Sequence, residues 1–138
     1  MIEIIRLDET NLDLLDGADP EIFDEDVRLQ LSMEVVKDRG HIMLLAVNEN
    51  SVIGQILCNV HRHMDKPTEL YIDDLAVSDK CLRQGVASLL VKEAIEIGKQ
   101  KGCKQVWIAT EPDNEPANKL YESLGLNKNN AYIFDGDL

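Results

Sequence analysis

Positive charge, aromatic side chains and cysteine are all scarce in this chain. Lys and Arg number 14 against 26 Asp and Glu, for a net charge of −12. A surface so poor in cations excludes nucleic acid as a partner, because phosphate contacts need Lys and Arg. It suits cationic partners instead, such as a polyamine, an aminoglycoside or a lysine-rich tail, and raises their rate of encounter. The same acidity also serves plain solubility. Cys58, Cys81 and Cys103 are odd in number and show no paired spacing. They supply neither a disulfide framework nor a zinc site, read as small apolar filler, and fit a reducing cytoplasm. No apolar run approaches the roughly 20 residues that cross a bilayer, so no membrane partner is expected. The opening MIEIIRLDET turns charged at once, unlike a signal peptide. Repeats, low-complexity stretches and inter-domain linkers are also missing, so residues 1–138 are expected to form one domain.

What is present alternates between strand and helix signals. Glu3–Leu7 reads as a first strand, followed by a short helix from Asn11 or Asp13 that Gly17 stops, and a turn at Asp19-Pro20. A helix is expected from about Ile22 to Lys37, with Phe23, Val27, Leu31 and Val35 on one face. Ile42–Val47 and Val52–Val60 form a hairpin around Asn48–Ser51, with Gly54 marking a bulge or a close approach. His61-Arg62-His63 has no further residues to complete a metal site and reads as a solvated loop. Lys104–Thr110 is a buried strand, a helix runs from Asn114 or Glu115 to Ser123 or Leu124, and Ala131–Phe134 is a final strand.

The centre of the chain is ELYIDDLAVSDKCLRQGVASLL, residues 69–90. Ile72, Leu75, Ala76 and Val77 suit a buried strand, Ser78 and Asp79 a turn. Val86, Leu89, Leu90, Ala94 and Ile97 then recur at helical spacing. At the start of that helix Gly85 and Ala87 leave the backbone bare. The first helical amides have no internal partners and the dipole places about half a positive charge there, a ready site for phosphate.

Leu82-Arg83-Gln84-Gly85-Val86-Ala87 resembles the acetyl-CoA pyrophosphate loop of the GNAT superfamily of N-acetyltransferases, Arg/Gln-x-x-Gly-x-Gly/Ala. Leu82 departs from that pattern. Asn114-Glu115-Pro116-Ala117-Asn118-Lys119-Leu120-Tyr121 with Gly125 resembles the closing motif Asn-x-x-Ala-x-x-Leu-Tyr-x-x-x-Gly. Within the superfamily, YIDDLAV followed by LRQGVASLL looks most like the type I aminoglycoside 3-N-acetyltransferases, and the likeness is best from Glu69 to Phe134.

The resemblance implies an α/β (α+β) fold of the GNAT-like acyl-CoA N-acyltransferase type. Its central sheet would be mixed, mainly antiparallel and splayed between two parallel strands, with about four flanking helices. Acetyl-CoA would lie in the splay, leaving coenzyme A as product. The amides of Leu75, Ala76 and Val77 would pair with pantetheine, and those of Ala76 and Val77 would polarise the thioester. Arg83, Gln84, Gly85, Val86, Ala87 and Ser88 would hold the pyrophosphate. Asn114 and Asn118 would lie near the pantetheine arm, and Tyr121 near the sulfur as proton donor. Asp74 stands where the aminoglycoside enzymes place an acid–base aspartate.

Asp73 and Asp74 are also a substrate clue in their own right. Neighbouring strand residues point to opposite faces, so one can meet the acceptor while the other faces elsewhere. A carboxylate just before a buried Leu-Ala-Val run is costly to desolvate unless a cation meets it. Tyr71 would share the Asp73 face, and Glu111 is either a second acceptor carboxylate or a helix-cap neighbour. Glu21, Asp24, Glu25 and Asp26 are further acceptor candidates, or else simply favour a helix start. The expected activity is acetyl transfer by direct attack in a ternary complex, to an aminoglycoside or similar small cationic amine. Two alternatives stay open: acetylation of a protein lysine or N-terminus, and a non-catalytic acyl-CoA-binding module. A homodimer through the C-terminal strand is compatible with the sequence, which does not decide it.

Overall fold

The computed structural model describes residues 1–138. A single five-stranded sheet runs in the order β1 (Ile2–Arg6), β2 (His41–Asn48), β3 (Ser51–His61), β4 (Glu69–Val77), β5 (Gln105–Ile108). The first four strands are antiparallel, and β5 joins β4 in parallel. The helices are α1 (Leu29–Lys37), α2 (Val86–Gln100) and α3 (Glu115–Ser123), with short 3₁₀ turns at Leu12–Gly17, Pro20–Ile22 and Asp79–Cys81.

Both faces of the sheet are covered, which is why β2 reads as an unbroken apolar run. Ile42, Leu44 and Ala46 face α2 and pack with Ile56, Ile72, Val86, Leu90 and Tyr121. Met43, Leu45 and Val47 face the other way, onto Ile22, Val52 and the partly buried Phe23 and Val35. This second face lies beneath the segment from Asp8 to Lys37.

Helix α2 buries Val86, Leu90, Val91, Ala94 and Gly98. The face expected from apolar spacing is rotated from this one: Leu89 is exposed, and Val91 and Gly98 take the inward positions. Gly98 is there because a Cβ would stand 3.1 Å from Leu70 Cδ2.

Three expectations give way. The helix predicted from Ile22 forms only from Leu29. Ile22 is held instead in a 3₁₀ turn whose N-cap Asp19 accepts from the Glu21 amide, and its carbonyl takes a side-chain donor from β3. The strand expected at Ala131–Phe134 is not formed; Tyr132 and Phe134 are more than nine-tenths exposed, and a strand without a ladder partner has nothing to stabilise it. The His61–His63 stretch is not simply solvated. Its two rings stack at 4.6 Å, and the largely buried His63 Nε2 lies 3.3 Å from Glu69 Oε2.

Gly54 meets both of its expected descriptions. The β2–β3 register shifts beside it, between Ala46 and Val47, and a Cβ on it would come within 3.2 Å of Leu90 Cδ1 and Val86 Cγ1. Overpacking such a contact costs about 1–3 kcal/mol. Gly54→Val is therefore expected to lower the urea-unfolding free energy by about 2 kcal/mol, and an unchanged midpoint would show that α2 does not sit this close.

Candidate functional site

Strand β4 is the scaffold of the site because it changes company halfway along. Glu69–Ile72 are paired with Gln105–Ile108 of β5, after which β5 ends and β4 continues to Val77 with β3 alone beside it. The sheet therefore parts along Asp73–Val77. The Ser78 amide donates to the Ile53 carbonyl, in register with the Val77–Gly54 pair. By antiparallel alternation the Ala76 amide also turns to β3, whereas those of Leu75 and Val77 face the open edge. Of the amides expected to serve an acyl group there, Leu75 and Val77 are thus available and Ala76 is occupied in the ladder.

At the far end of that edge lies the loop from Leu82 to the start of α2. No amide from Leu82 to Ser88 donates to an oxygen of the protein; the first helical bond is Leu89 N–H to Gly85 C=O. Arg83 and Gly85 both take left-handed backbone, at φ 64° and 75°. Such turns aim successive amides into one concavity, an anion cradle. A Cβ on Gly85 would meet nothing within 4 Å, so the space before the helix is open. The loop therefore fits a diphosphate. Gln84, Gly85, Val86, Ala87 and Ser88 offer unpartnered donors at the positive end of a 15-residue helix, as that group requires. The Leu82 side chain, more than half exposed, adds no donor of its own.

The β4–β3 register also shifts between Leu57 and Cys58, so that Leu57 opposes Asp74 and Cys58 opposes Ile72. Asp73 is the extra residue of this bulge. Leu70 and Ile72 face α2, as do Leu75 and Val77, while Ala76 packs on the opposite layer. The inserted residue leaves Asp73 and Asp74 on the same, non-α2 face, contrary to the opposite faces that regular alternation predicts. Tyr71 shares that face. Its phenol is pushed up by burial, then by the charge of Asp73 and a hydrogen bond to it. Trp107, opposite Tyr71 on β5, stacks on it with ring centroids 4.2 Å apart and is about half exposed.

Asp74 is half-buried. Burial raises its pKa above the ordinary carboxylate value, the Gln55 hydrogen bond opposes this, Asp24 raises it further, the Leu75 amide lowers it, and Asp73 raises it last. Gln55 Nε2 lies 2.7 Å from Asp74 Oδ2. The second acidic partner of Asp74 is therefore Asp24, from the stretch after the 3₁₀ turn. Glu111 is exposed in the loop after β5, where its carbonyl accepts from Asn114 and Asn118.

Asn114 caps α3 through the Ala117 amide at 3.2 Å, and Asn118 Nδ2 reaches the carbonyls of Glu111 and Asn114. Both shape the β5–α3 loop. Tyr121 is buried in the α2-side core, and burial followed by the neighbouring Cys58 pushes its phenol up to about 12. It stays protonated at neutral pH, the state of a donor. Cys58 is likewise pushed up to about 12, mainly by burial, and is no nucleophile.

Sequence reasoning missed Trp107 and Gln55. An isolated Trp in a strand carries no sign of its partner, and a glutamine in an apolar run shows only its own oddity. A cleft of about 390 Å³ opens beyond the C-terminal end of β4, lined among others by Asp19, Asn48, Ser78 and Lys80. None of Tyr71, Asp73 and Asp74 borders it.

Known proteins share this fold. The family model for the acetyltransferase (GNAT) family matches residues 5–126. N-alpha-acetyltransferase 30 of Xenopus laevis is 37% identical over 85 residues, covering 62% of this chain and 31% of that protein. The fission yeast (Schizosaccharomyces pombe) protein of the same name is 31% identical over 82 residues, covering 59% and 55%. The chain thus spans only about a third to a half of the length of these relatives. In three dimensions it matches the aminoglycoside acetyltransferase AAC(6')-Iy, solved with a CoA-containing bisubstrate analogue, at TM-score 0.85 and 19% identity over 100% of this chain and 99% of that one. An aminoglycoside acetyltransferase from an uncultured soil metagenomic sample matches at TM-score 0.86 and 22% identity, with the same coverage. At such identities the likeness is one of fold. These relatives include N-alpha-acetyltransferases and thialysine N-epsilon-acetyltransferases in sequence and 6'-acetyltransferases in fold, rather than the 3-N enzymes that the central run resembles.

The Asp74 shift has a consequence for stability. Its carboxyl binds a proton more readily folded than unfolded, so stability from this group falls as pH rises from the ordinary carboxylate value through the raised one. Asp74→Asn should remove that slope. The stability of the variant relative to wild type, measured by urea unfolding, is expected to increase with pH across this window and then level off; a constant difference would show that Asp74 titrates normally.

Proposed function

Because the chain belongs to the acetyltransferase (GNAT) family, we propose that it transfers an acetyl group from acetyl-CoA to a primary amine on a small acceptor carrying several positive charges, of the aminoglycoside kind. The observation that carries the acceptor reading is the bulge that turns Asp73 and Asp74 to one face, beside Asp24 and the Tyr71–Trp107 pair. Carboxylates a few ångströms from an ammonium contribute about 1 kcal/mol each in water and several-fold more where water is excluded. An exposed aromatic face adds attraction for a cation.

Acetyl-CoA supplies a thioester whose carbonyl carbon the amine attacks. The amides from Gln84 to Ser88, with Arg83 beside them, hold its pyrophosphate. Asp74 takes the proton that the ammonium must lose, or orients the amine while water takes it. The Val77 amide on the open edge donates to the carbonyl oxygen as negative charge develops there, an effect commonly of a few kcal/mol. As the N–C bond forms the C–S bond breaks; the Tyr121 phenol gives its proton to the departing sulfur, and the second proton shed by the nitrogen returns through water to the phenolate.

A second reading has its own support. The relatives from frog and fission yeast are N-alpha-acetyltransferases, so a peptide N-terminus is the competing acceptor. The test is free-thiol release from acetyl-CoA with neamine, sisomicin, spermidine and peptides bearing a free N-terminus. Fastest turnover on the aminoglycosides, reduced at least a hundredfold (roughly 2.7 kcal/mol) in Asp74→Ala with coenzyme A binding retained, is the expected outcome. Turnover confined to peptides would transfer the proposal to N-terminal acetylation. Binding without turnover on any amine would leave an acyl-CoA-binding module.

Gly85→Glu tests the cofactor half separately. It places a strained residue and a negative charge at the cradle, and is expected to raise the coenzyme A Kd tenfold or more, about 1.4 kcal/mol, in calorimetry. Unchanged affinity would remove the diphosphate from this loop.

A further inference from the structure

Gln55 is a fully buried polar side chain in the middle of β3. Its Nε2 is 3.0 Å from the Ile22 carbonyl and 2.7 Å from Asp74 Oδ2, while its Oε1 is buried with no partner. Leaving an acceptor unpaired in the core is costly, so the other end of the carboxamide must be worth holding. The Ile22 carbonyl can only accept. A flipped amide would set two acceptor oxygens against each other at the same separation, so the NH₂ end is fixed toward Ile22 and Asp74. Both of its hydrogens are then committed, one to each.

From this we propose that Gln55 is a positioning residue for acetyl transfer: oriented by the Ile22 carbonyl, it donates to Asp74, aims that carboxylate at the acceptor, and ties it to the wall formed by Asp19–Asp24. The proposal rests on the function given above for Asp74. Gln55 can donate to a carboxylate but cannot, in this orientation, accept from a carboxylic acid, so it selects the ionised form of Asp74. One lone-pair direction of Asp74 is filled from inside the protein, and the others are left to the incoming ammonium. The charged groups that act on Asp74 are Asp24 from the segment above it and Asp73 from its own strand. Both oppose ionisation, and Gln55 counters them.

The experiment is a pH series of acetyl-CoA-dependent acetylation of neamine by wild type, Gln55→Leu, Asp74→Asn and the double variant. Gln55→Leu keeps the volume and removes the donor. Its kcat/KM for neamine should fall about tenfold to a hundredfold, and the acidic limb of the profile should move to higher pH, with the KM for acetyl-CoA unchanged. In the Asp74→Asn background the same substitution should cause no further loss. A uniform fall with an unmoved limb, or an equal loss in both backgrounds, would make Gln55 a packing residue and overturn the proposal. A second measurement needs neither turnover nor a folded Gln55 variant. In ¹⁵N-labelled wild-type protein the Gln55 side-chain amide signals should titrate with the midpoint of the Asp74 carboxyl and lose that transition in Asp74→Asn. Signals that do not follow Asp74 would overturn the proposal whether or not any amine is acetylated, whereas coupled titration without acetylation of neamine would count against the acceptor reading alone.

Discussion

The parting of β4 from β5 beyond Ile72 is the constraint on which the rest of the site depends. A strand paired on both sides has every amide engaged, whereas β4 leaves those of Leu75 and Val77 facing an opening. Past Val77 the chain passes through one 3₁₀ turn into α2, so that the unpaired strand edge and the unpaired helix start follow one another along the chain. Each on its own is a common feature. Their continuity through Ser78–Gly85 sets two groups of free amides in sequence, which suits a molecule with amides at one end and a diphosphate at the other.

The bulge at Asp73 adds sidedness. Without the extra residue, one of the two aspartates would lie on the α2 side, among apolar side chains. With it, the two carboxylates gather on the layer lined by Ile22, Phe23 and the acidic stretch after them. The α2 side keeps Cys58 and Tyr121, both protonated across the physiological range because burial opposes their ionisation. One face of β4 is therefore electrically quiet and the other is charged. The acetyl transfer proposed above would use that difference, with a proton acceptor on the amine side and a proton donor on the sulfur side.

Much of this is legible in the residues. The run from Glu69 to Leu90 announces its strand, loop and helix, because apolar periodicity and bare backbone are local properties. The hairpin of β2 and β3 and the capping of α3 by Asn114 are local too. What escapes a reading of the residues depends on contacts distant in sequence. Ile22 looks helical because Gln55, which holds its carbonyl, is far along the chain. The shared face of Asp73 and Asp74 is hidden because a bulge belongs to a pair of strands and leaves no mark on one. Trp107 passes for core because its exposure comes from β5 standing at the sheet's edge. Ala131–Phe134 has the composition of a strand, and composition does not provide a neighbour.

The segment between β1 and β2, from Asp8 to Lys37, is joined to the central strands by few polar ties, among them the Ala18–Val52 bridge, the Asp19–Ser78 side-chain bond and the Gln55–Ile22 bond. Everything that walls the amine side ahead of β2 lies within this one continuous piece, while the diphosphate cradle and the phenol come from residues after β4. On the function proposed above, selectivity for the nucleophile and grip on the acyl donor would be written in separate stretches of the polypeptide. A lineage could exchange the first stretch wholesale, acquiring a new target, while inheriting the second intact.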